Sequence, residues 1–186
     1  MRDETDRPLV DGLRRADPAA FDATYEKYRA RTFGFLLRLS RRREVAEDLL
    51  QETWLKLARN GTRLAEDTDL AAWLFTVARN AWVSHRRWSM LDVSRFLTLG
   101  EEPAWVVDEA PDPSAEVEQR RAVARLERAL ARLSDGDREV LLLVGVEQFD
   151  QHEAAAILGI RYDGLRQRLA RARNRLKQEL EKTDGR

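Results

Sequence analysis

Residues 152–177, HEAAAILGIRYDGLRQRLARARNRLK, decide the fold of the carboxyl-terminal part of this chain. A short run of alanine, isoleucine and leucine ends at Gly159, the residue type that most often follows the last turn of a helix. After a turn at 159–161, Asp163 is the predicted N-cap of a second helix. The inward face of that helix repeats every three or four residues: Leu165, Leu169, Ala172, Leu176 and Leu180. This pattern predicts two helices joined by a tight turn, a helix-turn-helix.

The outer face of the second helix is basic. Residues 161–177 contain seven basic side chains and one acidic side chain, in a chain whose formal charge is zero. In a helix-turn-helix the second helix lies in the major groove of DNA, where Arg donates two hydrogen bonds to guanine O6 and N7. The expected DNA contacts, with base contacts nearest the amino end, come from Arg166, Gln167, Arg168, Arg171, Arg173, Arg175 and Lys177. The alternative is a solvated basic helix with exposed ion pairs.

Composition excludes several classes of protein. The 186 residues include 33 basic and 33 acidic ones and no cysteine, which excludes disulfides, thiolate catalysis and cysteine metal ligands. The amino terminus has no apolar segment typical of a signal peptide, and no window approaches the roughly 18 apolar residues of a membrane span. We therefore expect a soluble, cytoplasmic protein without membrane insertion.

Helical periodicity continues towards the amino terminus. The predicted helices before the helix-turn-helix lie at about 18–40, 44–59, 69–88, 116–133 and 137–148. Between them, residues 101–118 carry seven acidic and no basic side chains, and three prolines interrupt residues 90–115. The predicted fold is all-α: two small helical domains, 1–89 and 116–186, joined by a flexible acidic linker at 90–115.

Three segments together resemble a known family. They are AEDLLQETWLKL at 46–57, LAAWLFTVARNAWVSHRR at 70–87 and REVLLLVGVEQFDQHEAAAILGIRYDGLRQRLARARNRL at 138–176. Their order and spacing are similar to those of a bacterial sigma factor of the extracytoplasmic-function subfamily, which has only regions 2 and 4. The resemblance implies a protein that binds core RNA polymerase and directs it to specific promoters, in a stress or envelope-signal response. It places region 2 at 1–89 and region 4 at 116–186.

The resemblance also implies roles for residues of region 2. Asp48, Gln51 and Glu52 match the D-x-x-Q-E motif that binds the β′ clamp of polymerase. The loop at 60–69 is the expected pocket for an extruded base of the minus-10 element. The implied minus-10 contacts are Asn60, Arg63, Asn80, Ser84, Arg86 and Arg87. Trp82 and Trp88 would stack on bases, although Trp82, like Trp73, also fits a position in the core.

The family further implies the partners. These are core RNA polymerase, bound through the β′ clamp and the β flap, promoter DNA and an anti-sigma factor. The acidic linker would thread the polymerase channel that later carries RNA. No metal or cofactor is expected, and the protein would be associated with the nucleoid when it is bound to polymerase.

Two features of the helix-turn-helix depart from the family pattern. Arg161 and Tyr162 replace the small residues that usually precede the recognition helix, which leaves the promoter sequence open. Residues 148–152 (QFDQH) differ from the usual entry to the first helix of the motif.

Two alternatives to a sigma factor remain. A helix-turn-helix regulator that does not dock on polymerase is one alternative. An enzyme is the other, against which stand the wide separation of His85 and His152 and the lack of any phosphate-binding or nucleophile motif.

Overall fold

The computed structural model describes residues 6–91 and 115–184. These residues form eight α-helices: α1 Arg7–Arg14, α2 Pro18–Ser40, α3 Arg43–Asn60, α4 Leu70–Leu91, α5 Ala115–Ala131, α6 Asp135–Leu141, α7 Gln151–Leu158 and α8 Tyr162–Asp184. A 3₁₀ turn at Gly61–Arg63 follows α3, and a π-helical segment at Leu142–Val146 follows α6. Within the described ranges there is no β-strand, so the predicted all-α class is confirmed.

Helices α1 to α4 form the amino-terminal bundle. Asp17 is the N-cap of α2, since its carboxylate accepts a hydrogen bond of 2.9 Å from the backbone N–H of Ala19. Helix α1 was not predicted. It is anchored by Asp6, which is buried and accepts hydrogen bonds from the Lys27 ammonium, at 2.7 Å, and from the Tyr28 hydroxyl.

Helices α5 to α8 form the carboxyl-terminal bundle, which contains the predicted helix-turn-helix as α7 and α8. Asp150 and Glu153 form a capping box at the start of α7, and Gly159 ends the helix in the left-handed conformation, with φ of 63°. The N-cap predicted at Asp163 is wrong. Helix α8 begins earlier, because the backbone N–H of Leu165 already donates to the carbonyl of Arg161 at 3.0 Å, which puts Asp163 in the first turn.

The two bundles pack against each other around one apolar core. The rings of Phe35 and Phe75, from α2 and α4, lie 5.2 Å apart, and Phe149, just before α7, lies 5.1 Å from Phe75. Buried side chains from both halves of the chain continue this cluster. Most of the predicted linker, residues 92–114, lies outside the described residues. No helix in the described ranges is both long and apolar enough to cross a membrane.

Candidate polymerase and nucleic-acid interfaces

One face of α3 is polar and uncovered. Asp48, Gln51 and Glu52 are all exposed, whereas Leu49 and Leu57 on the opposite face are buried in the core. Residues three and four positions apart on a helix are neighbours on its surface, so the three predicted polymerase-binding side chains lie together. The predicted clamp-binding residues therefore form one continuous surface.

The same face contains an apolar side chain that the sequence reasoning missed. Leu55 is 47% exposed, although most leucines of this bundle are buried. It follows Glu52 by three residues and Asp48 by seven, which places it on the same side of α3. The helical spacing could have identified it, because Leu55 falls outside the apolar stripe. Glu52 is held nearby by an ion pair of 2.7 Å to Lys56.

The predicted minus-10 residues fall into separate groups. Asn80, Ser84 and Arg87 are exposed and spaced by four and three residues, so they share one side of α4. Arg86 lies on another side and forms an ion pair of 2.9 Å with Asp135 of α6. The structure therefore brings three of these residues together and turns the fourth towards the carboxyl-terminal bundle.

The two remaining minus-10 residues lie at the end of α3. Asn60 is half-buried and donates a hydrogen bond of 2.8 Å to the carbonyl of Lys56, while Arg63 is exposed in the 3₁₀ turn. Asn80 is separated from this region by much of α4, since it lies about 15 Å along the helix from Leu70. Asn60 and Arg63 thus form a surface of their own.

The tryptophans differ in their exposure. Trp82 is 8% exposed and belongs to the core, with its ring stacked 6.1 Å from that of His85. Trp73 is partly buried against the amino-terminal core. Trp88, near the end of α4, is 73% exposed. Trp88 alone of the three presents its ring to solvent.

The polar side chains of α8 point in three directions. Gln167, Arg171 and Asn174 are exposed and lie opposite the buried face. The exposed side chains of Arg166, Arg173 and Lys177 form one flank. The other flank faces α6. There Arg175 forms an ion pair with buried Asp137, and Arg168 lies 3.5 Å from the position that a Cβ atom on Gly136 would take.

Six of the seven predicted minus-35 residues are exposed, and Arg168 is half-buried. Arg168 and Arg175 lie on the flank that faces α6, where Asp137 engages Arg175. The helical spacing predicted which residues point away from the core, but not which flank is occupied by a neighbour. Which flank is covered depends on where α6 lies, and the sequence periodicity of α8 gives no information about α6.

Ion pairs connect the two bundles, and each has its base in the first half and its acid in the second. Their lengths are 3.1 Å for Arg31–Glu147, 2.8 Å for Arg38–Glu127, 3.8 Å for Arg79–Glu139 and 2.9 Å for Arg86–Asp135. Burial raises the pKa of Glu147, an effect that Arg31 partly offsets. Burial likewise raises the pKa of Glu139. The contact between the bundles is thus charge-complementary as well as apolar.

Arg138 is buried where the bundles meet. Its guanidinium donates to the carbonyls of Leu130, Ala131 and Leu133 near the end of α5, at 3.0, 3.0 and 2.8 Å, and to the carbonyl of Leu39 in α2 at 3.3 Å. Burial lowers its pKa. The carbonyls of Leu39, Ala131 and Leu133 lie at or just beyond the carboxyl ends of helices, where intrahelical donors run out, so Arg138 satisfies groups from both halves of the chain. The carbonyl of Leu130 also accepts from the backbone N–H of Leu133 at 3.1 Å.

Comparison with known proteins agrees with this arrangement. Residues 24–89 match the family model for Sigma-70 region 2, and residues 124–176 match that for Sigma-70 region 4. The chain is 34% identical over 174 residues to the ECF RNA polymerase sigma factor EcfG of Rhodopseudomonas palustris, covering 91% of this chain and 85% of that protein. It is 30% identical over 189 residues to the ECF RNA polymerase sigma factor RpoE of Cereibacter sphaeroides, covering 97% and 99%.

A solved structure is also similar. The sigma factor RpoE of Bartonella quintana, in complex with the anti-sigma factor NepR, superposes with a TM-score of 0.72 at 29% identity, over 87% of this chain and 96% of that one. A helix-turn-helix regulator that does not dock on polymerase is not favoured, because the first half of the chain is also a sigma-factor region. The chain belongs to the extracytoplasmic-function family of RNA polymerase sigma factors, which direct polymerase to promoters.

Proposed function

We propose that this sigma factor docks on the polymerase clamp through α3 and reads the promoter with α4 and α8. The observation that carries the proposal is the uncovered face of α3, where Asp48, Gln51 and Glu52 share one side of the helix with the exposed side chain of Leu55. Protein interfaces combine an apolar centre with a polar rim, and most of their binding energy comes from a few central side chains. This face has that composition, whereas the rest of α3 is used by the core.

The exposed side of α4 is the proposed minus-10 surface. Asn80, Ser84 and Arg87 offer hydrogen-bond donors, and Trp88 offers an exposed ring on which an unpaired base can stack. Asn60 and Arg63 belong to a different part of the bundle, and we assign them to the pocket for the extruded base. Arg86 joins the minus-10 surface only when it leaves Asp135.

The exposed sides of α8 are the proposed minus-35 surface. Arg166, Gln167 and Arg171 are near its amino end and meet base edges, while Arg173 and Lys177 meet phosphates. Arg168 and Arg175 must release their contacts with α6 before they can reach a phosphate. We propose that they contribute less to DNA affinity than Arg173 and Lys177 do.

The two bundles must separate for the protein to engage both promoter elements. The minus-35 and minus-10 elements are about 25 base pairs apart, which corresponds to roughly 85 Å of DNA at 3.4 Å per pair. A compact chain of this length has a radius of gyration of roughly 16 Å. The closed arrangement, in which the two bundles pack against each other, is therefore too small to span both elements. Polymerase would hold the bundles apart.

An anti-sigma factor is the proposed inhibitory partner. The similar Bartonella quintana sigma factor was solved with the anti-sigma factor NepR, which supports a partner of the same kind here. Because an apolar core already fills the contact between the bundles, we expect the partner to bind around them and to favour the closed arrangement. The proposed location follows from the function: the cytoplasm, and the nucleoid when the protein is bound to polymerase.

The docking proposal is tested by binding to purified core polymerase. Replacing Gln51→Ala and Glu52→Ala together should weaken binding while circular dichroism shows unchanged helix content, because both side chains are exposed. Asp22→Ala, another exposed acid but on α2, is the matched control and should bind normally. Unchanged binding of the double variant would exclude α3 as the docking surface.

A further inference from the structure

Two aromatic rings stack at the amino ends of the helix-turn-helix. The rings of His152, at the start of α7, and Tyr162, at the start of α8, have centroids 3.9 Å apart and planes inclined by only 2°. Tyr162 is half-buried, and His152 is exposed. The capping box of Asp150 holds the backbone of His152, whose N–H donates to that carboxylate at 2.7 Å. The stack therefore joins the beginnings of both helices of the motif.

Arg166 lies against the same stack. Its guanidinium carbon is 5.9 Å from the centre of the Tyr162 ring, within the range of a cation–π contact. The two residues are four positions apart on α8, which places them on adjacent turns of one side. Arg175 on the opposite flank is instead bound by the carboxylate of Asp137. Arg166 is thus held by a ring, and Arg175 by an acid.

The difference between these two partners matters for DNA recognition. A carboxylate accepts hydrogen bonds from the guanidinium and so occupies its donors. An aromatic ring holds the cation through its face and accepts no hydrogen bond in the guanidinium plane, which leaves the fork of N–H donors available. That fork is the group which donates to guanine O6 and N7 in the major groove.

We propose that Tyr162, supported by His152, positions Arg166 and thereby sets the base preference of α8 where Arg166 meets the DNA. The inference rests on the proposed minus-35 surface and adds a residue that makes no base contact of its own in this role. Ordering Arg166 before binding reduces the conformational freedom that it loses on the DNA. The bulky residue that precedes Asp163 in this chain then has a function in recognition rather than in packing alone.

The test uses the full chain bound to core polymerase and a set of promoter fragments that carry every base at each minus-35 position. Arg166→Ala should flatten the preference at one base pair. Tyr162→Leu should flatten it at the same base pair by about two- to fivefold, the range expected for losing an exposed cation–π contact. Tyr162→Phe, which keeps the ring, should retain the preference of the original protein. His152→Ala should partly reduce the base preference at that base pair while α8 stays helical.

Combining the substitutions distinguishes positioning from packing. If Tyr162 acts through Arg166, the double variant Tyr162→Leu with Arg166→Ala discriminates as Arg166→Ala alone does. The proposal is overturned if Tyr162→Leu weakens binding equally on every fragment, keeps the full preference, or adds its loss to that of Arg166→Ala. It is also overturned if Arg166→Ala changes no preference. If the original holoenzyme shows no minus-35 preference at all, the proposed minus-35 surface itself is wrong.

Discussion

Leu55 is an exposed apolar side chain in the proposed polymerase-docking face of α3. We predict that Leu55→Asp lowers the affinity for core polymerase by at least tenfold. Burying a leucine side chain contributes about 1.5–3 kcal/mol, and a charge in the same place must also be desolvated. Since Leu55 is 47% exposed in the free protein, the substitution should leave thermal stability nearly unchanged.

The measurement for Leu55 is a titration of labelled core polymerase. Ala23→Asp places the same charge on an exposed position of α2 and is the matched control, with binding expected as for the original protein. An unchanged dissociation constant for Leu55→Asp would remove Leu55 from the interface.

Arg138 is a buried charge whose role is structural. Arg138→Met should destabilise the fold by about 3 kcal/mol, because the carbonyls of Leu39 and Leu133, one from each half of the chain, would lose this donor. Arg29→Met is the comparison. Both Arg29 and its partner Glu26 are exposed, by 53% and 66%, so loss of that ion pair should cost less than about 1 kcal/mol. Thermal or urea unfolding of both variants checks the difference, and equal losses would contradict this role for Arg138.

Two residues of α8, Arg171 and Lys177, have different proposed roles, the first in base preference and the second in overall DNA affinity. Arg171→Ala should weaken binding mainly on fragments with the preferred base, by about 1–3 kcal/mol. Lys177→Ala should weaken binding equally on all sequences and lower the salt dependence by about one counterion. Competition between fragments at several salt concentrations measures both effects. A uniform loss for Arg171→Ala would place that residue on phosphates.

Periodicity predicted the helices but not how they fit together. The apolar stripe of α8 predicted its buried face, because side-chain spacing on a helix is fixed by its geometry. Helix α1 was missed, since it is a single short segment held by the contact of Asp6 with Tyr28, far along the chain. The engagement of Arg86 by Asp135 also depends on a neighbouring bundle and has no local signal. The proposed docking face was predicted from a motif, whereas Leu55 was recognised from its exposure, although its spacing also separates it from the buried face of α3.

We predict that the fraction of molecules in the closed arrangement of the two bundles depends on pH. Burial raises the pKa of both Glu147 and Glu139 above the ordinary value of 4.5. Nearby bases only partly offset this effect. They are Arg31 and Arg38 for Glu147, and Arg79, Arg86 and Arg168 for Glu139. A raised pKa in the closed form means that protonation favours closing. This contribution is fully present below pH 4.5 and is lost as the pH rises through the raised values.

The natural absence of cysteine allows this effect to be measured directly. Dyes on Ala23→Cys in α2 and Gln178→Cys in α8, both exposed positions, should show increasing energy transfer as the pH falls from neutral towards 5. Adding Glu139→Gln and Glu147→Gln should remove most of the pH dependence. Energy transfer that decreases on acidification would contradict the sign of this coupling.

Run-off transcription with purified core polymerase on a library of promoter fragments tests whether this chain alone confers promoter choice on polymerase. We predict that the chain produces start sites which core polymerase lacks, that these promoters share a minus-35 and a minus-10 element, and that Gln51→Ala with Glu52→Ala strongly reduces transcription from them. Transcripts that are the same with and without the chain, or undiminished transcription with the double variant, would contradict this role.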